Sequence, residues 1–382
     1  SGANNMGDDT DETVRSSLTS STSASRKYSN NSTSNVFLIM NLLSHGIGSG
    51  IITDPSELQT VAALALETGD IAVSMSDFIT ASTYLTIGIN CLRNKYDDVD
   101  GAGDDGQHRH MKARHGMKKG YWRENAALYE FSLKLFNLAA EVEYCTANFE
   151  RMDILIKEIL LNARSFHDKM RAYVTMIYSL GSRERLLEAI AQGFSLLEVL
   201  EERFPPKTAK PLKLYLLADL IKTKFMIKKY FQTTDTSDIV TNIVTRDGTT
   251  DKQAGISNSS IVAKRLMINN DKIAAMQILN IIFPYCLALK HPMVGLTIFR
   301  MVQLTLTYGF TPTSASGFAG YGIILCGLGE YQNGNKFGKL ALRLVDSFNA
   351  TQLIPRVYSM YYGYISHWNT VSRIIYCVLT IP

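Results

Sequence analysis

Residues 139–160 read "AAEVEYCTANFERMDILIKEIL", and their pattern decides the fold. Leu128, Phe131, Leu135, Leu138 and Val142 lead into the stretch at spacings i, i+3, i+7, i+10 and i+14. Phe149, Met152, Ile156, Ile159 and Ala163 leave it with the same spacings. Each set is the apolar face of an amphipathic helix. "TAN" between them predicts a tight turn, so the unit is helix, turn, helix. Ala139, Ala140 and Ala147 are expected to be small where the helices approach closely, with Phe149 and Met152 filling the space opposite.

The scheme recurs along the chain. "TDPSELQTVAALALETGDIAVSMSDFITASTYLTIGINCL" predicts two helices. Thr53 or Asp54 caps the first, Pro55 suits its first turn and Glu57 could close a capping box. "ETGD" is the expected turn, with the second helix running from about Ile71 to Leu92. "HDKMRAYVTMIYSLGSRERLLEAIAQGFSLLEVLEERF" predicts another pair around "LGS", with Gly181, Ala189 and Gly193 as its small packing residues, stopped by Pro205 and Pro206. "KPLKLYLLADLIKTKFMIKKYF" (210–231) predicts one more helix, and further helices are expected near 262–290, 293–308, 312–327, 330–348 and 352–368. The expected joints are "KHP", "GFTP", "GLGEYQNG" and "NATQ".

About ten antiparallel helices, with pairs recurring every 35 to 40 residues, predict an all-α fold: a tetratricopeptide-like right-handed solenoid. The expected organisation is a disordered polar segment at 1–35, the first helices at 36–93 and a disordered charged insertion at 94–120. Helical repeats fill 121–231, a disordered polar insertion 232–260, and repeats again 261–370. A C-terminal tail, 371–382, shows no closing element, and with Ser1 at the start the chain is expected to be a fragment of something larger.

Composition narrows the class. The apolar fraction of 46% supplies a large core, and a formal charge of +4 over 382 residues does not argue for nucleic-acid binding. Five cysteines (Cys91, Cys145, Cys286, Cys326, Cys377) stand far apart without a C-x-x-C pair. Buried reduced thiols in an intracellular, cytoplasmic protein are the expectation. "VFLIMNLL" is too short to span a bilayer. The apolar run from Ile273 to Phe299 is interrupted by Gln277, Asn280, Pro284, Lys290 and His291, so buried helices are expected there and no membrane span.

Candidate sites are few. His108, His110 and His115 could hold zinc or copper, but their loop offers no scaffold or cysteine. Asp98, Asp100 and Gly101 do not follow the register of a calcium loop. Gly329 and Gly334 have the gap of a phosphate loop, yet Asn335 displaces Lys336 and Phe337 follows it; an interhelical turn is expected. "HGIGSG" and "GFAGYG" lack a strand–loop–helix setting, and Gly317, Gly320 and Gly322 are expected to permit close helix packing. The stretch 207–229 carries seven lysines against Asp219. It could lie on an anionic membrane or RNA, but a solvated face is the expectation. Tyr358, Tyr361, Tyr362, Tyr364, His367 and Trp368 form an aromatic group that could line a ligand or peptide groove, although core packing is the commoner use. No catalytic residue, cofactor-binding residue or metal ligand follows from these spacings.

Several blocks together resemble one family: "GIITDPSEL" (50–58), the run from Ala126 to Leu200, "KLYLLADLIKTK" (213–224), the run from Ala274 to Cys326, "FGKLALRLVDSFNA" (337–350) and "HW" (367–368). They are similar to the helical-repeat region of large multi-domain signalling kinases. In that family a serine/threonine kinase-like domain and an AAA-class ATPase come first. Sensor modules and a histidine kinase or a cyclase follow. The resemblance spans about 45–370, apart from the two insertions, which are longer than the family's, and ends at Trp368. It implies a non-catalytic interaction and coupling region whose partners are neighbouring domains or another protein. It leaves open an active kinase polypeptide with catalytic domains outside this chain, or a stand-alone helical adaptor.

Overall fold

The computed structural model describes residues 35–97, 120–205, 212–233 and 266–368. The expectations for the N-terminal segment, the two insertions and the C-terminal tail fall outside these residues, a few edge positions apart. The described residues are all-helical apart from one isolated parallel bridge between Leu266 and Phe310. The helices are α1 (35–48), α2 (Pro55–Ser74), α3 (Phe78–Asp97), α4 (Ala126–Cys145), α5 (Phe149–Asn162), α6 (Phe166–Ser182) and α7 (Leu186–Val199). They continue with α8 (Leu212–Thr233), α9 (Asn270–Ala288), α10 (Val294–Tyr308), α11 (Ser314–Gly327), α12 (Tyr331–Ser347) and α13 (Ile354–Tyr364). Short 3₁₀ turns precede α4 at Gly120–Trp122 and α13 at Thr351–Leu353.

One turn closes most of these helices. After α2, α4, α6, α7, α9, α11 and α12 a single residue takes positive φ: Ser76, Ala147, Glu184, Glu201, Lys290, Gly329 and Asn349. The next residue's N–H then reaches five positions back, as in Asp77 to the Ala72 carbonyl, Asn148 to Glu143, Arg185 to Leu180 and Glu330 to Leu325, each at 2.9 Å. This is the Schellman closure, which satisfies carbonyls that the helix end would orphan. Of the seven positions only Gly329 is glycine, the residue that reaches positive φ without steric cost. Three residues suffice to link α2 to α3, α4 to α5, α6 to α7, and α11 to α12. Ala147 and Glu184 are 37 residues apart, and Lys290 and Gly329 are 39 apart.

Two expected turns are misplaced, for one reason. "ETGD" lies inside α2, and the turn is Met75–Asp77. "LGS" lies inside the last turn of α6, and the turn is Arg183–Arg185. Glycine marks contact at both places. A Cβ on Gly69 would sit 2.7 Å from a Leu85 methyl, and one on Gly181 2.2 Å from the Tyr285 hydroxyl. Ala147 makes the opposite exchange: it forms the turn, is exposed, and does not pack between helices. Elsewhere the expectations meet the structure more closely. Asp54 caps α2, accepting from the Ser56 and Glu57 N–H groups at 3.1 and 3.2 Å. The helix foreseen from Tyr121 begins at Ala126, where Asn125 accepts from the Leu128 N–H at 2.7 Å.

The described residues divide into two compact units, with the boundary between Met176 and Ile177. In the first, α2 packs along α3, α3 against α4, and α4 against α5. Leu85, Ile89, Leu135, Phe136, Ala140, Met152 and Ile159 are buried in its core. Tyr121 and Trp122 are enclosed beside Phe136, with ring centroids 5.9 and 5.3 Å from it. In the second unit, α9 packs on α7 and α10, α10 on α8 and α11, and α13 on α11 and α12. Gly193 admits Ile282 of α9 at 2.4 Å from a built Cβ, so Gly181 and Gly193 both serve the approach of α9 rather than a fit between α6 and α7.

Glycine serves contact most fully where α11 meets α12. A Cβ on Gly322 would lie 2.8 Å from the Gly334 carbonyl oxygen, and one on Gly334 equally close to that of Gly322. Gly317 and Gly320 similarly admit Met301 and Ile298 of α10, as the sequence leads one to expect. Pro284 inside α9 removes the N–H that would bond the Asn280 carbonyl. Arg356 of α13 replaces it, donating to that carbonyl at 2.8 Å and to Asn280 Oδ1 at 3.0 Å.

Candidate functional site

The last turn of α7 borders a concave feature of the second unit. Leu200 ends the helix, Glu201 takes φ 62°, and the Glu202 N–H bonds the Leu197 carbonyl at 2.8 Å. That closure swings the Glu202 carboxylate inward, where the residue is 5% exposed. Lys272 Nζ reaches one oxygen at 2.7 Å and Arg300 the other at 2.5 Å. Both cations also bond carbonyls at the end of α7 and just beyond it: Lys272 that of Leu200 at 3.3 Å, Arg300 that of Arg203 at 3.2 Å. Burial works against the Lys272 ammonium, but the Glu202 hydrogen bond and charge outweigh it and hold its pKa above the ordinary lysine value.

Above this clasp opens a cleft of about 550 Å³, lined by Ala191, Phe194, Ser195, Glu198, Arg203, Phe204, Pro205 and Met293. Phe194 and Phe204 meet edge-on at 5.0 Å, and the Arg300 guanidinium lies 5.0 Å over Phe204. His291 borders Phe194, its Nδ1 accepting the Met293 N–H at 3.3 Å. The lining mixes apolar Phe194, Phe204, Pro205 and Met293 with Glu198, Glu202 and exposed Arg203. Its volume leaves ample room for a bulky side chain or a small organic group. The Glu202 charge is consumed by the clasp, so it shapes the cleft rather than reacting in it. Sequence reading passed over this site, because "EERFPP" signals only a helix stop; the pairing of Glu202 with residues 70 and 98 positions away leaves no local trace.

The aromatic group near the C-terminus divides. Tyr361 is buried, donates to Asn335 Oδ1 at 2.9 Å, and stands edge-on to Tyr362 at 4.9 Å. Tyr362, Tyr364 and Trp368 are exposed, and Trp368 stacks on Tyr331 at 5.3 Å. The group therefore does not converge on one pocket. Gly329 and Gly334 are a helix closure and a helix–helix contact, and Lys336 lies within α12. His108, His110, His115, Asp98, Asp100 and Gly101 lie outside the described residues. Among the described residues no three His, Cys, Asp or Glu side chains are placed to hold a metal ion.

Cys91, Cys286 and Cys326 are buried, as expected, and burial pushes the Cys91 thiol up to about 11. Cys145 departs from the expectation: it ends α4 and is exposed. In the first unit Glu143 is the counterpart of Glu202. It is 2% exposed, accepts from Ser82 and Asn148 at 2.8 Å each, and meets Arg151 at 3.2 Å. This network joins α3, α4, the turn into α5 and α5 itself.

No protein family, no curated protein and no solved structure matches this chain. No described helix is long and apolar enough to cross a membrane.

Proposed function

We propose that this chain is a helical-repeat interaction and coupling region of a multi-domain, cytoplasmic signal-transduction protein, with no chemistry of its own. One observation carries the reading: the same Schellman closure ends seven helices, four of them at three-residue joints, and successive closures lie 37 residues apart at Ala147 and Glu184 and 39 apart at Lys290 and Gly329. Repeated hairpins of this kind bury their apolar faces against neighbours, and stacking them as a tetratricopeptide-like right-handed solenoid leaves surface for partners. In this reading the cleft beside Phe194 and Phe204 accepts an apolar side chain of a neighbouring domain or partner protein. The Glu202 clasp holds its wall in place. Catalytic domains of a parent kinase or ATPase lie outside residues 1–382, in keeping with the family resemblance of the helical blocks.

The test is calorimetric titration of the purified full chain with magnesium ATP, alongside sequencing of the transcript across both ends. The expected results are no ATP binding, and in-frame ATPase and kinase or cyclase segments on either side. Tight magnesium-dependent ATP binding by this chain would overturn the reading, and close start and stop codons would reduce it to a stand-alone adaptor.

A further inference from the structure

Helix α8 is apolar on two faces. Its inner face lays Leu216, Leu220 and Ile227 against the core of the second unit. Thr223 is fully buried there, accepting from Gln303 at 3.0 Å and donating to the Asp219 carbonyl at 2.6 Å. Its outer face carries Leu214, Leu217, Ile221 and Phe225, which are 60%, 52%, 60% and 66% exposed. Their spacings of three, four and four residues place them in one stripe, about 17 Å long at 1.5 Å per residue. At 100° per residue, Lys213 and Lys224 flank the stripe on one side, and Lys222 and Lys229 on the other. Lys228 continues its line at the C-terminal end. The helix's single acid, Asp219, lies off the stripe and half-buried. Glu330 is the facing acid from a packed element; it pairs with Lys224. Lys213, Lys222, Lys228 and Lys229 are exposed, as a solvated face requires, and they edge an apolar strip.

We propose that this outer face of α8 seats the chain on an anionic lipid surface. The alternatives fit less well. A second copy would bring two lysine-edged stripes together, and the like charges oppose that. RNA would use the lysines and leave the leucines, isoleucine and phenylalanine exposed. A partner helix would have to set carboxylates against both lysine edges at once and in register. A lipid phase needs no register. It takes the apolar strip to shallow depth while lysine stems run along it and their amines reach phosphates and carboxylates. Tyr215, 48% exposed at the edge, suits the depth where an aromatic body meets a polar boundary. Charge separates this face from the other apolar strip, Leu38, Ile39 and Leu42 on α1, which no lysine or arginine of its helix flanks. Contact of this kind is peripheral and needs no spanning helix.

The experiment is co-sedimentation of the full chain with sucrose-loaded vesicles, of phosphatidylcholine alone or with about a third phosphatidylserine, at about 0.1 M salt. Expected are pelleting with the anionic vesicles, little with the neutral ones, and release when salt is raised to about 0.5 M. Ile221→Glu with Phe225→Glu is expected to lower the partition coefficient at least tenfold with an unchanged far-ultraviolet spectrum. Lys222→Gln with Lys228→Gln, which alters only exposed amines, is expected to lower it severalfold. Failure to pellet, equal pelleting on neutral vesicles, or an unaltered partition in either variant pair overturns the proposal. A failure to pellet would leave the stripe to a protein helix.

Discussion

Pro284 and Arg356 make a sharp test of the physical reasoning. Proline at 284 leaves the Asn280 carbonyl without its helical partner, and the carbonyl belongs to a residue only 7% exposed. Arg356 supplies the missing donor at 2.8 Å. A hydrogen bond from a charged group to a buried acceptor is worth about 1.5–3 kcal/mol. Arg356→Met keeps most of the stem and removes both bonds, so a loss of about 2 kcal/mol is expected. Pro284→Ala restores an N–H that can reach the same carbonyl. In that background Arg356→Met forfeits a redundant donor, and its cost is expected to fall by about 1 kcal/mol. Urea unfolding of the four proteins, followed by circular dichroism, closes the cycle. Equal cost of Arg356→Met in both backgrounds would refute the idea that arginine stands in for the proline's missing hydrogen.

Four further outcomes are expected. Gly334→Ala places a Cβ 2.4 Å from Cys326 Sγ and 2.8 Å from a backbone oxygen; despite better helix propensity it is expected to lower stability by about 2 kcal/mol in thermal unfolding. Ala147→Gly relieves an exposed non-glycine residue at φ 58°; a gain of about 0.5 kcal/mol is expected, after the added freedom of the unfolded chain is subtracted. Glu202→Leu strands the Lys272 and Arg300 charges inside the second unit, and a loss of about 3–5 kcal/mol is expected from the same denaturation assay. Hydrogen bonds from Lys224 and Asn333 hold the Glu330 carboxyl below its ordinary value of 4.5. The stability it contributes is present above 4.5 and fades as pH falls through the lowered value. Glu330→Gln should therefore flatten the acid side of the stability profile below pH 4.5, and an unchanged profile would count against the pairing.

Helix content is legible in the sequence because apolar spacing is local: the faces of α4 and α5 can be counted off from residue spacing alone. Turn positions were less so. Gly69 and Gly181 looked like breaks, yet they are helical and leave room for Leu85 and Tyr285, residues that no short window contains. The real turns use Ser76 and Glu184, ordinary side chains held at positive φ by closures on both sides. The cleft was missed for the same kind of reason. Its carboxylate and its two cations come from three separate segments, and each alone resembles an unremarkable surface charge. The lysine-rich stretch was noticed, but only the placement of Leu216 and Thr223 inward reveals which residues of α8 remain outside.

The repeated closure also furnishes a set of internal clocks. Asp77, Asn148, Arg185, Glu202, His291, Glu330 and Ala350 each have an amide proton tied to a carbonyl five residues back. Each can exchange with solvent deuterium only when its own joint opens. Read together, their exchange rates would show whether the joints open one after another or only when the whole chain does. A protein that frays joint by joint can transmit strain along itself in steps, whereas one whose seven amides share a single rate can act only as a rigid strut.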